Sequence, residues 1–340
     1  MRSTSLTRMS RRPAGTDAGP SRSRPSGAAL WGPLITLWIV WGTTYLGTSA
    51  MVQSIPPLLG AGSRYLVGAL PLAVIVFVTR GPRAFRLSAR QMSATIVMGL
   101  GIIGIWGAIV PLSLQHIPGG IAALIAASVP VWVVALKVMS RQAVGGLTLI
   151  GVVLGIGGVA AMMLPGGIAP LEGTTAEGVL LWSLAMVGAS ISWAFFSWRS
   201  SSLDLPPDTG VLTVYQLIWC GLGIMIVGLI AGERADWAEF TAASWAGWVW
   251  LVIASSVGYA SYTFLIARAP LPLVSTFAFV NPAVAVLLGW VILAEPISRS
   301  VVIGLVVVLA GTALVVVGDR RDGAPTRESQ SPTRIAGGAS

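Results

Sequence analysis

The chain reads as an all-α membrane protein of ten transmembrane helices, arranged as two inverted five-helix repeats. Three observations predict this. Hydrophobic residues make up 55% of the 340 residues and charged residues 10%, with a mean hydropathy of +0.82, against about 25% charged in soluble domains. The apolar residues fall into ten runs of about the length that crosses a bilayer. The pattern also recurs 152 positions on, with Trp41 matched by Trp193, Pro118 by Pro270, Pro130 by Pro282, Val134 by Val286 and Leu136 by Leu288. A one-residue slip then pairs Gly151 with Gly304 and Gly158 with Gly311. Five spans per copy is an odd number, so the second copy enters the membrane from the opposite side, as in the inverted repeats of secondary transporters.

The spans are expected at 31–51, 57–79, 91–114, 118–139, 144–164, 178–198, 210–231, 245–267, 270–293 and 297–317, separated by short polar or Pro/Gly-bearing breaks. The first repeat then covers 31–164 and the second 178–317, joined by a linker on the outer side at 165–177. Residues 1–30 and 318–340 read as disordered cytoplasmic tails rich in Ser, Pro, Gly and Arg. A transmembrane barrel is excluded, because strands of about 9–11 residues alternating in and out are not seen.

Orientation follows the basic residues. With the N-terminus in the cytoplasm, 18 of the 21 Lys and Arg lie inside, Arg234 and Arg299 lie outside, and Arg64 sits within a span. Glu172, Glu177, Glu233, Asp236, Glu239 and Glu295 fall on the outer side. Both termini are expected in the cytoplasm, with no cleavable leader. The net charge of +9 owes much to the N-terminal arginines. That segment lacks aromatics and suits contact with anionic lipid rather than nucleic acid. Cys220 is the only cysteine, so no internal disulfide forms; it reads as a small buried apolar residue.

Several features carry chemistry. Pro130 in span 4 and Pro282 in span 9 occupy equivalent points, and each removes a backbone donor, freeing the carbonyls of Ala126 and Ala278. Matched helix interruptions point to a central binding site, or else are packing kinks. Arg64 lies 16 residues before Arg80, roughly 24 Å along the helix, and burying it costs at least ~2.5–3.5 kcal/mol. It either meets an anionic group or a wet vestibule, clamps backbone carbonyls, or snorkels outward. No span carries a mid-membrane Asp or Glu, which excludes a buried carboxylate relay and an intramembrane aspartyl protease. His116 reads as a surface residue without a proton role. Trp31, Trp182, Trp237, Trp245 and Trp248 suit interfacial anchors. Trp41, Trp106, Trp132, Trp193, Trp219 and Trp290 lie deeper. Trp41 and Trp193, with Tyr45, Trp106, Tyr259, Tyr262 and Phe279, either line a cavity or pack the bundle. The spacing of Gly151 and Gly155 allows close helix contact, with a neighbour or a second protomer.

These residues resemble a known group. Trp41-Gly42-Thr43-Thr44-Tyr45, then Pro56-Pro57 and Gly62-Ser63-Arg64-Tyr65, look like the first-repeat opening of the drug/metabolite transporter superfamily, EamA family. The stretch from Ile117 to Pro130, Ile191 to Phe195, and Phe279 to Gly289 match further segments, and the resemblance covers 31–317. It implies two five-span EamA repeats and a plasma-membrane carrier, often an exporter of amino acids or other small metabolites. The cavity would lie between the repeats, formed largely by spans 1, 3, 4, 6, 8 and 9. Carried over by position, Trp41, Thr43, Tyr45, Arg64, Trp193 and Asn281 match the family. The family's glutamate after span 9 matches Glu295-Pro296, but the first repeat has Ala143 there, after Arg141 and Gln142.

The expectation is therefore a secondary transporter working by alternating access, not an enzyme, with no cofactor and no metal. Its partners would be a small-molecule substrate and the lipid bilayer, as a monomer or a homodimer, with no nucleic acid. Trp41, Trp106, Trp193, Tyr259 and Phe279 would supply apolar and stacking contacts. Thr43, Tyr45, Arg64, Tyr262 and Asn281 would orient the solute, and Pro130 and Pro282 would mark the pivots. A channel, or a non-transporting receptor or scaffold, is the alternative. A membrane-embedded enzyme lacks any HExxH, paired aspartate or GxSG-type serine in support.

Overall fold

A computed structural model of the chain describes residues 27–162, 171, 173–268, 277–293 and 298–322. Among these residues ten helical spans follow one another: α1 Gly27–Met51, α2 Pro57–Arg80, α3 Ala89–Ser113, α4 Gly119–Met139, α5 Gly146–Met162, α6 Ala176–Arg199, α7 Thr209–Ile230, α8 Ala242–Arg268, α9 Phe277–Leu293 and α10 Arg299–Asp322. No strand occurs among them. The first helix starts at Gly27 and the last runs to Asp322, so each takes in a few residues that the sequence placed in the tails. The rest of the tails, most of the linker, Pro270, and Glu295 with Pro296 lie outside the described residues.

Length and composition alone suffice for α2, α3, α4, α6, α7 and α10 to cross a membrane. α5 and α9 are predominantly apolar and 17 residues long, with Thr148 and Asn281 as their polar side chains. α1 and α8 have 25 and 27 residues and carry the Trp, Thr, Tyr and Ser that line the cavity described below.

Polar residues in short loops set the helix ends. Pro57 opens α2, where its missing N–H leaves no orphan donor. Gly81, at φ +77°, closes α2 with its N–H on the Phe77 carbonyl. Ser88 and Gln91 form a reciprocal capping box at the start of α3, with both hydrogen bonds at 3.1 Å. The Asp208 carboxylate accepts the N–H groups of Gly210 and Val211 to cap α7.

Two spans depart from a plain α-helix. In α3 a π-helical turn occupies Gly99–Gly104. In α4 the α-helix stops at Ala126 and restarts at Val129, with Ser128 between. The equivalent Pro282 lies inside an α9 that runs unbroken from Phe277 to Leu293. The matched prolines thus have unequal positions: Pro130 opens the second half of α4, whereas Pro282 lies inside the described α9.

The two repeats are related by inversion. α1 packs on α8 and α9, as α6 packs on α3 and α4; α2 packs on α8, as α7 packs on α3. Counterparts also meet directly, as α2 with α7, α4 with α9 and α5 with α10. Exchanging every helix for the one five places on therefore preserves the principal neighbours. The α2–α7 pair is antiparallel: Arg80 Nε stands 3.1 Å from Asp208 Oδ2 at one end, and Glu233 meets the first turn of α2 at the other. α5 and α10 run antiparallel too. A Cβ on Gly311 would stand 2.5 Å from Gly155 N, and one on Gly318 would reach Thr148. Glycine is required here by close approach, so the small-residue face of α5 is taken by α10 of the same chain.

The core lies between the repeats. A buried cluster joins Tyr45, Val110, Ile117, Leu124 and Ile125 of the first repeat to Met186, Ala285 and Val308 of the second. The outer surfaces stay apolar, with Val78, Leu181, Ile230 and Val291 exposed, as a lipid-facing surface requires.

Candidate functional site

A cavity of about 190 Å³ opens between the repeats. At water's share of about 30 Å³, that is room for about six waters, the scale of a small metabolite.

Each wall is one face of a helix. Trp41, Thr44 and Tyr45 line it from α1 at spacings that share a face. Ser255 and Tyr259 come from α8 one turn apart, and Phe277 and Asn281 from α9 in the same way. Ala123, Ala126, Ala127, Val129 and Pro130 bring the broken part of α4 to the cavity. Arg64 and Tyr65 enter from α2, Trp106 from α3 and Trp193 from α6. Both halves contribute, and α2 joins the spans that the family resemblance implies.

The repeat mates Trp41 and Trp193 both face the cavity, in unequal surroundings. Trp193 meets Trp106 edge-on at 5.6 Å. Trp41 meets Tyr259 at 5.6 Å, Tyr262 at 5.3 Å and Phe277 at 5.0 Å. Gly258 permits this approach, since a Cβ there would collide with the Trp41 indole nitrogen. Gly101 does likewise for α6: its carbonyl accepts Ser192 Oγ at 2.9 Å, and a Cβ would collide with Phe196. That glycine sits in the π turn of α3, just before Trp106, a place where such turns commonly mark function.

The break in α4 is held by hydroxyls. Ser128 donates to Ile125 O at 2.5 Å and accepts the Trp132 indole N–H at 2.9 Å. Ser190 of α6 reaches Ile125 O at 3.4 Å, and Thr312 of α10 reaches Ala127 O at 3.1 Å. Backbone carbonyls freed inside a membrane protein need such partners.

Arg64 is 7% exposed. Its Nη2 donates to the Tyr65 hydroxyl at 2.6 Å and its Nη1 to the Ser255 hydroxyl at 3.3 Å. Its guanidinium carbon stands 4.0 Å from the Tyr65 ring centre. It neither clamps backbone carbonyls nor snorkels outward.

Of the sequence-predicted residues, Trp41, Tyr45, Arg64, Trp106, Trp193, Tyr259 and Asn281 come together around the cavity. Two do not face it. Thr43 turns its hydroxyl onto Ile39 O and Val40 O of its own helix, and Tyr262 packs behind Trp41 with Leu34, Leu37 and Leu265. The Phe279 side chain lies outside the described residues. Asn281 is pinned, its amide nitrogen assigned by its surroundings to Trp38 O at 3.3 Å and Phe277 O at 3.2 Å. The sequence reading missed Thr44, Tyr65, Ser255 and Phe277. Helical spacing from chosen neighbours would have found three of these: Trp41 to Thr44, Ser255 to Tyr259 and Phe277 to Asn281. Tyr65 carries no such signal, because it joins the site through the Arg64 side chain folded over it.

Elsewhere, Cys220 is buried in α7. His116 stacks on Trp182 at 5.2 Å. Trp237, Phe240, Trp245 and Trp248 cluster at the end of the bundle away from Arg80. Among the described residues no group of three or more His, Cys, Asp or Glu is placed to hold a metal.

Comparison with known proteins agrees with this architecture. Residues 28–164 and 177–317 each match the EamA-like transporter family. The chain is 30% identical over 291 residues to the uncharacterized inner membrane transporter YedA of Escherichia coli strain K12, covering 85% of this chain and 91% of that protein. It is 27% identical to protein PecM of Dickeya dadantii, over 82% of this chain and 89% of the other. A protein of known crystal structure shares the fold with a TM-score of 0.59 at 19% identity, covering 87% of this chain and 99% of the other. With both repeats matched and the inverted bundle in place, this multi-pass membrane protein belongs to the EamA-like transporter family.

Proposed function

We propose that the protein is a secondary active transporter that exports small metabolites, amino acids or amphipathic compounds, across the plasma membrane by alternating access. The observation that carries this reading is the cavity walled by both halves of an inverted repeat. Equivalent helices differ: Pro130 opens the second half of α4 where Pro282 lies within the described α9, and Trp41 is enclosed by three rings where Trp193 contacts one. Exchanging these arrangements between the repeats would close one side of the cavity and open the other. The inner-membrane location in the name of the Escherichia coli relative supports the compartment.

Orientation follows charge. Arg80, Arg83, Arg86, Arg90, Lys137, Arg141, Arg199 and Arg268 all fall at one end of the bundle, and that end is cytoplasmic by the positive-inside rule. Both termini then face the cytoplasm.

The test is counterflow in proteoliposomes. A carrier accelerates uptake of labelled solute when the same solute is preloaded inside, whereas a channel or receptor does not. Flux indifferent to preloading would remove the carrier reading. For orientation, Cys220 is buried and gives little background. A cysteine placed at Arg83 should react with a membrane-impermeant thiol reagent only after the cells are opened, and one at Trp237 should react in intact cells.

A further inference from the structure

The electrostatics of the cavity narrow the solute. Arg64 brings a full positive charge to the wall, 7% exposed. Its two hydrogen-bond partners, the hydroxyls of Tyr65 and Ser255, are neutral, and its Nε is buried without any partner. A guanidinium has five N–H donors, so two bonds leave most of them unspent.

Among the described residues no carboxylate pairs with Arg64. No Asp or Glu occurs between residues 18 and 171, so the whole first repeat is free of acid. In the second repeat Glu177 stands in the first turn of α6, Asp204 and Asp208 precede α7, and Glu233, Asp236 and Glu239 lie between α7 and α8. Glu295 follows the last residue of α9.

The break in α4 adds no charge of its own. Its latter half, Val129–Met139, starts at the cavity wall, and its N-cap residue Ser128 makes no side-chain cap. The Ser128 hydroxyl is spent on Ile125 O and Trp132 instead. On the other side of the break, carbonyl oxygens are covered by Ser128, Ser190 and Thr312. At the start of the second half, the Val131 and Trp132 N–H groups donate to Ser128 O at 2.9 and 3.2 Å and Pro130 has none, so both sides of the break are satisfied within the chain and the charge of the wall rests on Arg64.

We propose that the cavity takes a solute bearing one carboxylate on an aromatic or other flat apolar body. Arg64 holds the carboxylate through the Nη hydrogens that Tyr65 and Ser255 leave free, in charge-assisted hydrogen bonds. Trp41, Trp106, Trp193 and Tyr259 face its body. Tyr65 and Ser255 are positioning residues that fix the guanidinium. This assignment deepens the transport reading and rests on it for the cavity's role.

The test is equilibrium binding to the purified full chain by calorimetry. Benzoate, phenylacetate and indole-3-acetate are each compared with the matching amide and amine. The carboxylates are expected to bind about tenfold or more tighter than the amides, with the amines weakest. Arg64→Gln should erase the preference for carboxylate over amide, and Arg64→Lys should keep part of it, since a point charge replaces the fork. Equal affinity for amide or amine in the native protein, silence of all three carboxylates, or a preference that survives Arg64→Gln would each overturn the assignment. If Arg64→Gln does not fold, the native ranking alone decides. Binding needs no turnover, so the two proposals fail separately. Counterflow without carboxylate preference removes the anion site and leaves the carrier, while the reverse result removes the carrier and leaves the site.

Discussion

The Glu233 carboxylate accepts the Leu59 N–H at 2.8 Å, and with the Leu58 N–H at 3.1 Å it covers the start of α2 from the far end of α7. Helix α2 has no cap of its own, because its N-cap position is Pro56. The inverted repeat brings in a carboxylate from the other half, at the positive end of the helix.

Glu233→Ala is therefore expected to destabilise the protein by about 1 kcal/mol, the ordinary worth of an N-cap. Glu233→Gln should cost less, because an amide oxygen still accepts. Thermal midpoints in detergent check this. At the opposite end, Arg80→Ala should cost no more than about 1 kcal/mol, since the pair with Asp208 is largely exposed. Asp208→Ala should exceed it, because Asp208 also caps Gly210 and Val211.

Neighbouring glycines of α5 should behave oppositely. A Cβ at Gly155 would stand 2.4 Å from Val131 Cγ2, whereas one at Gly157 meets nothing within 4 Å. Gly155→Ala is expected to cost about 1–3 kcal/mol through overpacking, and Gly157→Ala to stay within about 0.5 kcal/mol. Equal effects at the two sites would contradict the packing of α5 on α4.

Ser128→Ala removes one hydroxyl that serves both Ile125 O and the Trp132 indole. Leaving buried polar groups short of partners costs about 1–3 kcal/mol. The expected readout is a lower thermal midpoint, together with faster protease cleavage or thiol labelling near the break.

Transport should separate residues that adjoin in sequence. Thr43 bonds its own helix away from the cavity, whereas Thr44, Trp41 and Trp193 line it. Trp193→Leu removes the edge contact with Trp106 and should raise the half-saturating solute concentration in counterflow by about tenfold. Thr43→Val should leave it unchanged.

Much of this was legible in the chain. The 152-residue echo of Trp41 in Trp193 and of Pro130 in Pro282 foretold both the inversion and a cavity between the halves, since equivalent positions of an inverted repeat meet near its axis. Arg64 stood out because charge is rare at such depth. The choice of Thr43 over Thr44 and the inclusion of Tyr262 show the limit. One residue's step turns a helix by about 100°, and a lipid-facing surface is as apolar as the core. Hydropathy therefore does not tell the inside of such a helix from its outside. Trp290 is as deep in sequence as Trp193, yet it is 56% exposed.

Composition, periodicity and the internal repeat by themselves determined that this is an all-helical membrane protein with inverted halves, because transfer from water to lipid is paid residue by residue along the chain. Only the tertiary structure decided which side chains face one another. The π turn before Trp106, the break at Ser128, and Tyr65 and Ser255 on Arg64 all depend on contacts between distant helices. Packing and hydrogen bonding between spans supply that information, and apolarity along the chain does not encode it.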